Sequence, residues 1–146
     1  MKKFLTAVFL LVSVSAFAQG GRLMVKNTSS CTVYFTLNLS AVSTTPTCAP
    51  GASSIIITLA PGASVLYLST TTPGVPPNPQ YFLWAKVLDG PTSCMTSSIA
   101  VGEPCSGYPA SNIINVRTPA CTPCAVVKAI WTAAAPAGGL SVLTFL

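Results

Sequence analysis

The chain has 146 residues, a net charge of +5 and no histidine, and only 6% of its residues are charged. The missing histidine excludes Ser-His-Asp and Cys-His catalytic arrangements, because these need an imidazole to move a proton. The sparse, scattered basic residues also exclude a typical nucleic-acid binder, which gathers its positive charge on one stripe.

The N-terminal segment has the pattern of a signal peptide. Lys2 and Lys3 form a basic head, an apolar run follows, and Ala-Phe-Ala at residues 16–18 offers the small-x-small site that a signal peptidase cleaves. We therefore predict that residues 1–18 are removed and that residues 19–146 form a single domain. The basic head is typical of bacterial export, and no later apolar run approaches the roughly 20 residues of a transmembrane helix.

Short β-type runs separated by turn residues fill the predicted domain. The clearest is the run 32–39, in which large apolar residues at the odd positions alternate with more polar residues at the even positions. Such alternation is typical of a half-buried antiparallel strand, and the spacing of the runs is typical of a sandwich or barrel. We therefore predict an all-β fold, a single antiparallel β-sandwich stabilised by disulfides and immunoglobulin-like in architecture. Its strands are predicted at residues 23–26, 32–39, 54–59, 65–69, 81–88, 97–101, 112–117, 125–131 and 140–146.

Turns and one ambiguous segment complete the predicted order. Ala-Pro-Gly-Ala-Ser occurs at residues 49–53 and again at 60–64. Because proline fixes φ and glycine accepts positive φ, both copies predict type II turns. The longest predicted loop is 70–80, since its prolines cannot donate to a central strand. Residues 124–135 combine alanine, which favours a helix, with β-branched residues, which favour the strand that we predict.

The cysteines all lie in the predicted exported part, and an oxidising compartment turns such a set into disulfides. They are Cys31, Cys48, Cys94, Cys105, Cys121 and Cys124. Closeness in sequence favours pairing the first with the second and the third with the fourth, and the fifth pairs with the sixth or elsewhere. Cys121-Thr122-Pro123-Cys124 also has redox-site spacing, but the chain that follows is too short for the scaffold such sites use. Zinc binding by the thiolates is disfavoured by the same oxidising conditions.

The acidic residues are too few for most enzyme chemistry. Asp89 and Glu103 are the only carboxylates, and a glycosidase needs two across one bond. No phosphate-binding loop, zinc-protease motif or calcium loop occurs. We therefore expect no enzymatic activity, no cofactor and no metal site. Sequons at Asn27 and Asn38 are interpreted as chance matches.

Aromatic side chains give the one binding signal. On residues 81–88, strict alternation places Phe82, Trp84 and Lys86 on one face and Tyr81 on the other. Lys86 indicates that the Trp84 face is partly solvated. Trp84 and Tyr81 are therefore the candidate residues for stacking on a ligand, although large aromatics more often supply core area.

Function is expected to come from contacts. The favoured hypothesis is a secreted, non-enzymatic structural or interaction protein of the bacterial cell surface, envelope (periplasm included) or extracellular material, with a protein or glycan partner. Self-association is also open, because low charge weakens repulsion between copies. The alternatives are a carbohydrate- or ligand-binding module and, more weakly, a CxxC redox protein. Residues 140–146 could add to a partner's sheet about a Gly138-Gly139 hinge, although closing their own sandwich is favoured.

Overall fold

The computed structural model describes residues 21–41, 48–77, 81–134 and 140–146. The predicted signal peptide and the Gly138-Gly139 hinge lie outside the described residues. The described part is all-β, with short 3-10 turns and no α-helix. Its strands are β1 (Arg22–Asn27), β2 (Val33–Ser40), β3 (Pro50–Ser53), β4 (Ile57–Leu59), β5 (Ser64–Leu68), β6 (Phe82–Leu88), β7 (Ser98–Gly102), β8 (Ser111–Arg117), β9 (Pro123–Thr132) and β10 (Leu140–Phe145).

The strands form two sheets that enclose one core. Sheet A has the order β5-β1-β10-β9-β8, and sheet B has the order β3-β2-β6-β7, with β4 also paired to β2. The odd positions of β2 from Val33 to Leu39 are fully buried, which confirms that this set faces the core. The predicted half-burial of the strand is wrong, because Tyr34 and Asn38 on the other face are buried too. Across the core, the rings of Phe35 and Phe145 lie 5.5 Å apart. Each buried side chain of this size contributes about 1.5–3 kcal/mol, so the interface between the sheets stabilises the sandwich-like fold.

One strand pair departs from the predicted antiparallel arrangement. β1 and β10 are parallel, with Arg22 beside Leu140 and Asn27 beside Phe145. β10 also pairs antiparallel with β9, so it lies at the centre of sheet A. Residues 140–145 therefore close their own sandwich, as the favoured interpretation had it.

The two Ala-Pro-Gly-Ala-Ser segments adopt different structures. The second forms the predicted turn, with Gly62 at a φ of 74°. The first was wrongly predicted as a turn, because residues 50–53 form β3 on the edge of sheet B. An edge position tolerates Pro50, and a side chain at Gly51 would collide with the backbone of Ser40 and Ala41. The ambiguous segment after Cys121 is the strand β9, as predicted.

The disulfides join cysteines that are distant in sequence. The pairs are Cys31–Cys124, Cys48–Cys105 and Cys94–Cys121. The predicted pairing of sequence neighbours was wrong, because the sheet topology and not chain distance decides which loops meet. The first and third bridges link sheet A to sheet B at one end of the sandwich, here called the disulfide end. The second bridge joins segments flanking the two edges of sheet B at the other end, here called the glutamate end because Glu103 lies there.

Candidate functional site

A β-bulge in β6 decides which aromatic residues face outward. The register between β2 and β6 shifts at Leu83, which has no partner residue in β2. As a result, Phe82 is fully buried in the core and does not share a face with Trp84, which corrects the predicted alternation. Trp84 and Lys86 do lie on the outer face, half-buried and exposed respectively.

The ring of Trp84 packs against the ring of Tyr108. The Trp84 and Tyr108 ring centroids are 4.6 Å apart, and the ring planes are tilted by 42°. Tyr108 follows Gly107, whose φ of 78° turns the chain back towards β6 after the 3-10 turn. Tyr81 is half-buried, its backbone amide donates to the Ser40 hydroxyl at 3.1 Å, and it does not line the groove described next. Of the two residues predicted to stack on a ligand, Trp84 lines this groove and Tyr81 does not, and ligand stacking itself stays a prediction.

The aromatic pair borders an open groove of about 400 Å³ between the edges of the two sheets. Small residues on β7 keep the groove open, because Ala100 pairs with Lys86 and Gly102 pairs with Trp84. A Cβ at Gly102 would lie 2.5 Å from the Cβ of Trp84, so glycine is required for the tryptophan to lie there. The lining residues are Trp84, Lys86, Ser98, Ile99, Ala100, Tyr108, Pro109 and Asn112.

The free edge of β7 supplies backbone groups to this groove. Asp89 N donates to Ser97 O, and Glu103 N donates to Leu83 O, which fixes the odd-numbered residues of β7 as those bonded to β6. The N–H and C=O groups of Ser98 and Ala100 consequently point away from β6. The backbone N–H and C=O groups of Gly102 also point away from β6, but its N–H donates to Pro109 O at 3.2 Å.

Asp89 is a structural carboxylate at the disulfide end. It is 2% exposed, and its Oδ1 accepts the Thr96 amide at 2.9 Å while its Oδ2 accepts the Thr96 hydroxyl at 2.6 Å. The Arg117 Nε lies 3.7 Å from Oδ2. Burial on its own raises the pKa of Asp89, but the hydrogen bonds from Thr96 and Ser97 outweigh burial and lower the pKa to about 2. Asp89 is therefore ionised at neutral pH, with its oxygens occupied.

Glu103 holds the opposite end of the sandwich. It is 4% exposed, and its Oε1 accepts the Trp131 indole N–H at 3.0 Å and the Ser141 hydroxyl at 2.9 Å. Glu103 lies beside Leu83 and Asp89 beside Ser97, so the two carboxylates are separated by about six strand residues, or about 20 Å. Glycosidases need about 5–9.5 Å between the two groups, so this pair does not form such a site.

The remaining candidate residues hold the fold together. All of the cysteines are in disulfides, and Cys121 and Cys124 belong to different bridges. Among the described residues, no three His, Cys, Asp or Glu side chains lie close enough together to hold a metal ion. Asn27 and Asn38 of the two sequons are buried, and the Asn27 Nδ2 donates to the carbonyls of Cys31 and Leu59.

The outer face of sheet A is the second unusual surface, and sequence reasoning missed it. Register places its outward side chains together across all of the strands of the sheet. The exposed large apolar residues on this face are Leu66, Leu68, Ile113, Val126 and Leu140, and its exposed cations are Arg22, Lys26 and Lys128. Both carboxylates of the chain are buried elsewhere, so this face carries no negative side chain. We call it the apolar outer face.

Comparison with known proteins gives no match to a family model, a curated protein or a solved structure. Within the described ranges, no helix is both long and apolar enough to cross a bilayer. The function must therefore be argued from the two surfaces, the groove and the apolar outer face.

Proposed function

We propose that this protein is an exported, non-enzymatic interaction protein of a bacterial cell surface, envelope or extracellular material. The apolar outer face carries the proposal. A sheet with one face in water normally shows polar side chains there, whereas this face exposes large aliphatic residues, with Val126 at 64%. Large exposed aliphatic side chains gathered on one sheet face are typical of a site where another macromolecule docks.

The disulfides support the exported location. Three bridges link distant parts of the chain, and such bridges persist in oxidising compartments outside the cytosol. The cleaved signal peptide over residues 1–18, the bacterial origin and the immunoglobulin-like architecture belong to the same proposal and rest on the sequence patterns.

The state of the carboxylates supports a role without catalysis. A general acid or base must reach its substrate. Asp89 and Glu103 are instead buried, hydrogen-bonded within the fold and placed at opposite ends of the sandwich.

Carbohydrate binding is the second candidate, and the contact between Trp84 and Tyr108 favours it. Two aromatic rings at the border of a groove with polar groups form the usual chemistry of a small-ligand site. The redox alternative gains no such support, because Cys121 and Cys124 are not paired with each other.

The interaction proposal is tested by photo-crosslinking in the source cells. A photoreactive residue replaces Val126 on the apolar outer face, and Thr58, exposed on the outer face of sheet B, gives the matched control. We expect a discrete adduct of higher mass from position 126 and none from position 58. The absence of an adduct at position 126, or equal adducts at both, would contradict an interaction through this face.

A further inference from the structure

We propose that the groove beside Trp84 binds an acidic oligosaccharide, that is, a chain of sugar rings bearing carboxylates. This inference rests on the carbohydrate-binding candidate above and names its ligand class. It combines a stacking surface, a short row of hydrogen-bonding groups and one unopposed cation.

The stacking surface is the tilted pair Trp84 and Tyr108. Trp84 is half-buried and packs closely over Gly102, whereas Tyr108 is 40% exposed. Because the two ring planes are tilted by 42°, the rings together form an angled aromatic surface at the border of the groove. The C–H face of a sugar ring is apolar and can pack on an aromatic ring, and a side chain already held in place loses little entropy on binding.

The hydrogen-bonding groups suit sugar hydroxyls better than a peptide backbone. Ser98 and Ala100 direct backbone N–H and C=O groups to the groove, but the amide of Gly102 is already bonded to Pro109. Two available residues are too few for the several alternating bonds by which a peptide adds as a strand. Asn112 adds a side-chain donor, because its Oδ1 already accepts the Ile113 amide at 2.9 Å and its Nδ2 is left to donate.

The cation is Lys86, which follows Trp84 on the same face at a distance of roughly 7 Å along the strand. That spacing is on the scale of one sugar ring. Asp89 is paired with Arg117 and Glu103 is hydrogen-bonded in the interior, so no carboxylate of the described residues opposes Lys86. A ring stacked on Trp84 and Tyr108 can therefore place its own carboxylate near the Lys86 ammonium, which gives a charge-assisted hydrogen bond.

Calorimetry with the fully oxidised protein tests this inference, using oligogalacturonide and a neutral galacto-oligosaccharide of the same length as probes. We expect oligogalacturonide alone to bind, with an affinity that falls as salt is added. Lys86→Gln should weaken binding about tenfold at low salt, and Trp84→Ala about 30-fold or more. Lys128→Gln, which removes a cation from the apolar outer face, should leave the affinity unchanged.

The outcomes separate the inference from the function it rests on. Equal binding of both probes, with no effect of Lys86→Gln, would overturn the acidic ligand class and retain carbohydrate binding. Binding of neither probe would overturn both. If Lys86→Gln and Lys128→Gln weaken binding equally, the groove is not the binding site, because the equal loss would show a general attraction between the protein and a polyanion. If Trp84→Ala does not fold, Tyr108→Ala tests the same stacking surface, since Tyr108 lies in a loop.

Discussion

Asp89 and Glu103 are both buried at an end of the sandwich, but they differ in the partners that hold them. Asp89 is held by Thr96 and faces the Arg117 guanidinium, between two disulfides that join the sheets. Glu103 accepts neutral donors, the Trp131 indole and the Ser141 hydroxyl.

This difference indicates a division of roles. The disulfide end combines covalent bridges and an ion pair, so it resists separation of the sheets. The glutamate end has one bridge, between Cys48 and Cys105, and it adjoins the Trp84 and Tyr108 contact that we propose as a binding site. Loops near a rigid scaffold can carry contacts without contributing to the core.

The largest effect is expected at the disulfide end. Replacing Cys31 and Cys124 together by alanine opens a bridge that spans 93 residues, and the chain-entropy model gives a loss of about 4–5 kcal/mol in the free energy of unfolding. Replacing Cys94 and Cys121 opens a span of 27 residues and should cost about 3–4 kcal/mol. Urea denaturation followed by circular dichroism measures both, and a larger loss for the shorter span would show that loop length does not decide the ranking.

At the glutamate end, Glu103→Ala leaves the Trp131 N–H and the Ser141 hydroxyl buried without an acceptor. We expect a loss of about 3 kcal/mol, measured by thermal unfolding. Glu103→Gln is the matched control, because it keeps an oxygen at this position and should cost about 1 kcal/mol. Equal losses would mean that the negative charge of Glu103, and not its role as acceptor, stabilises this end.

The smallest expected effect is the change in the free energy of unfolding at acidic pH. The pKa of Asp89 is about 2 in the folded protein against an ordinary 3.8, so the unfolded chain binds a proton more readily. The contribution of Asp89 is full above about pH 4 and is lost as the pH falls towards 2, by on the order of 1 kcal/mol. Unfolding free energies measured across this range should fall less steeply in Asp89→Asn than in the wild type. A parallel fall in both proteins would assign the acid sensitivity to other groups.

Local patterns in the sequence predicted the strands well and their partners poorly. Alternation located β2 because its odd positions face the core, whereas β-branched residues located the strand after Cys121. β3 was missed because proline and glycine usually mark turns, whereas an edge strand beside a close backbone tolerates both. The bulge at Leu83 could not be predicted, since it depends on the register with a strand far away in the chain.

The residues of the candidate site were also only partly predictable from local patterns in the sequence. Trp84 was predicted because Lys86 follows it on the same face. Tyr108 was one of several aromatic residues and was not selected as a site residue, because it lies in a loop between Gly107 and Pro109, where no alternation applies. Only the path of the chain from β7 to β8 brings it to Trp84. The disulfide pairs likewise follow from which segments the sheet topology brings together, within sheet B for Cys48–Cys105 and between the sheets for the other two bridges.

The parallel pairing of β1 with β10 also sets an order of folding. A chain that emerges N-terminus first can assemble sheet B and the β8–β9 hairpin before its C-terminus is available. Sheet A cannot form completely at that stage, because residues 140–145 lie between β1 and β9. Contacts between such distant segments form slowly. During that delay both strands present unpaired edges, so a chain stalled or cut short before Leu140 is the form most prone to aggregate with its neighbours.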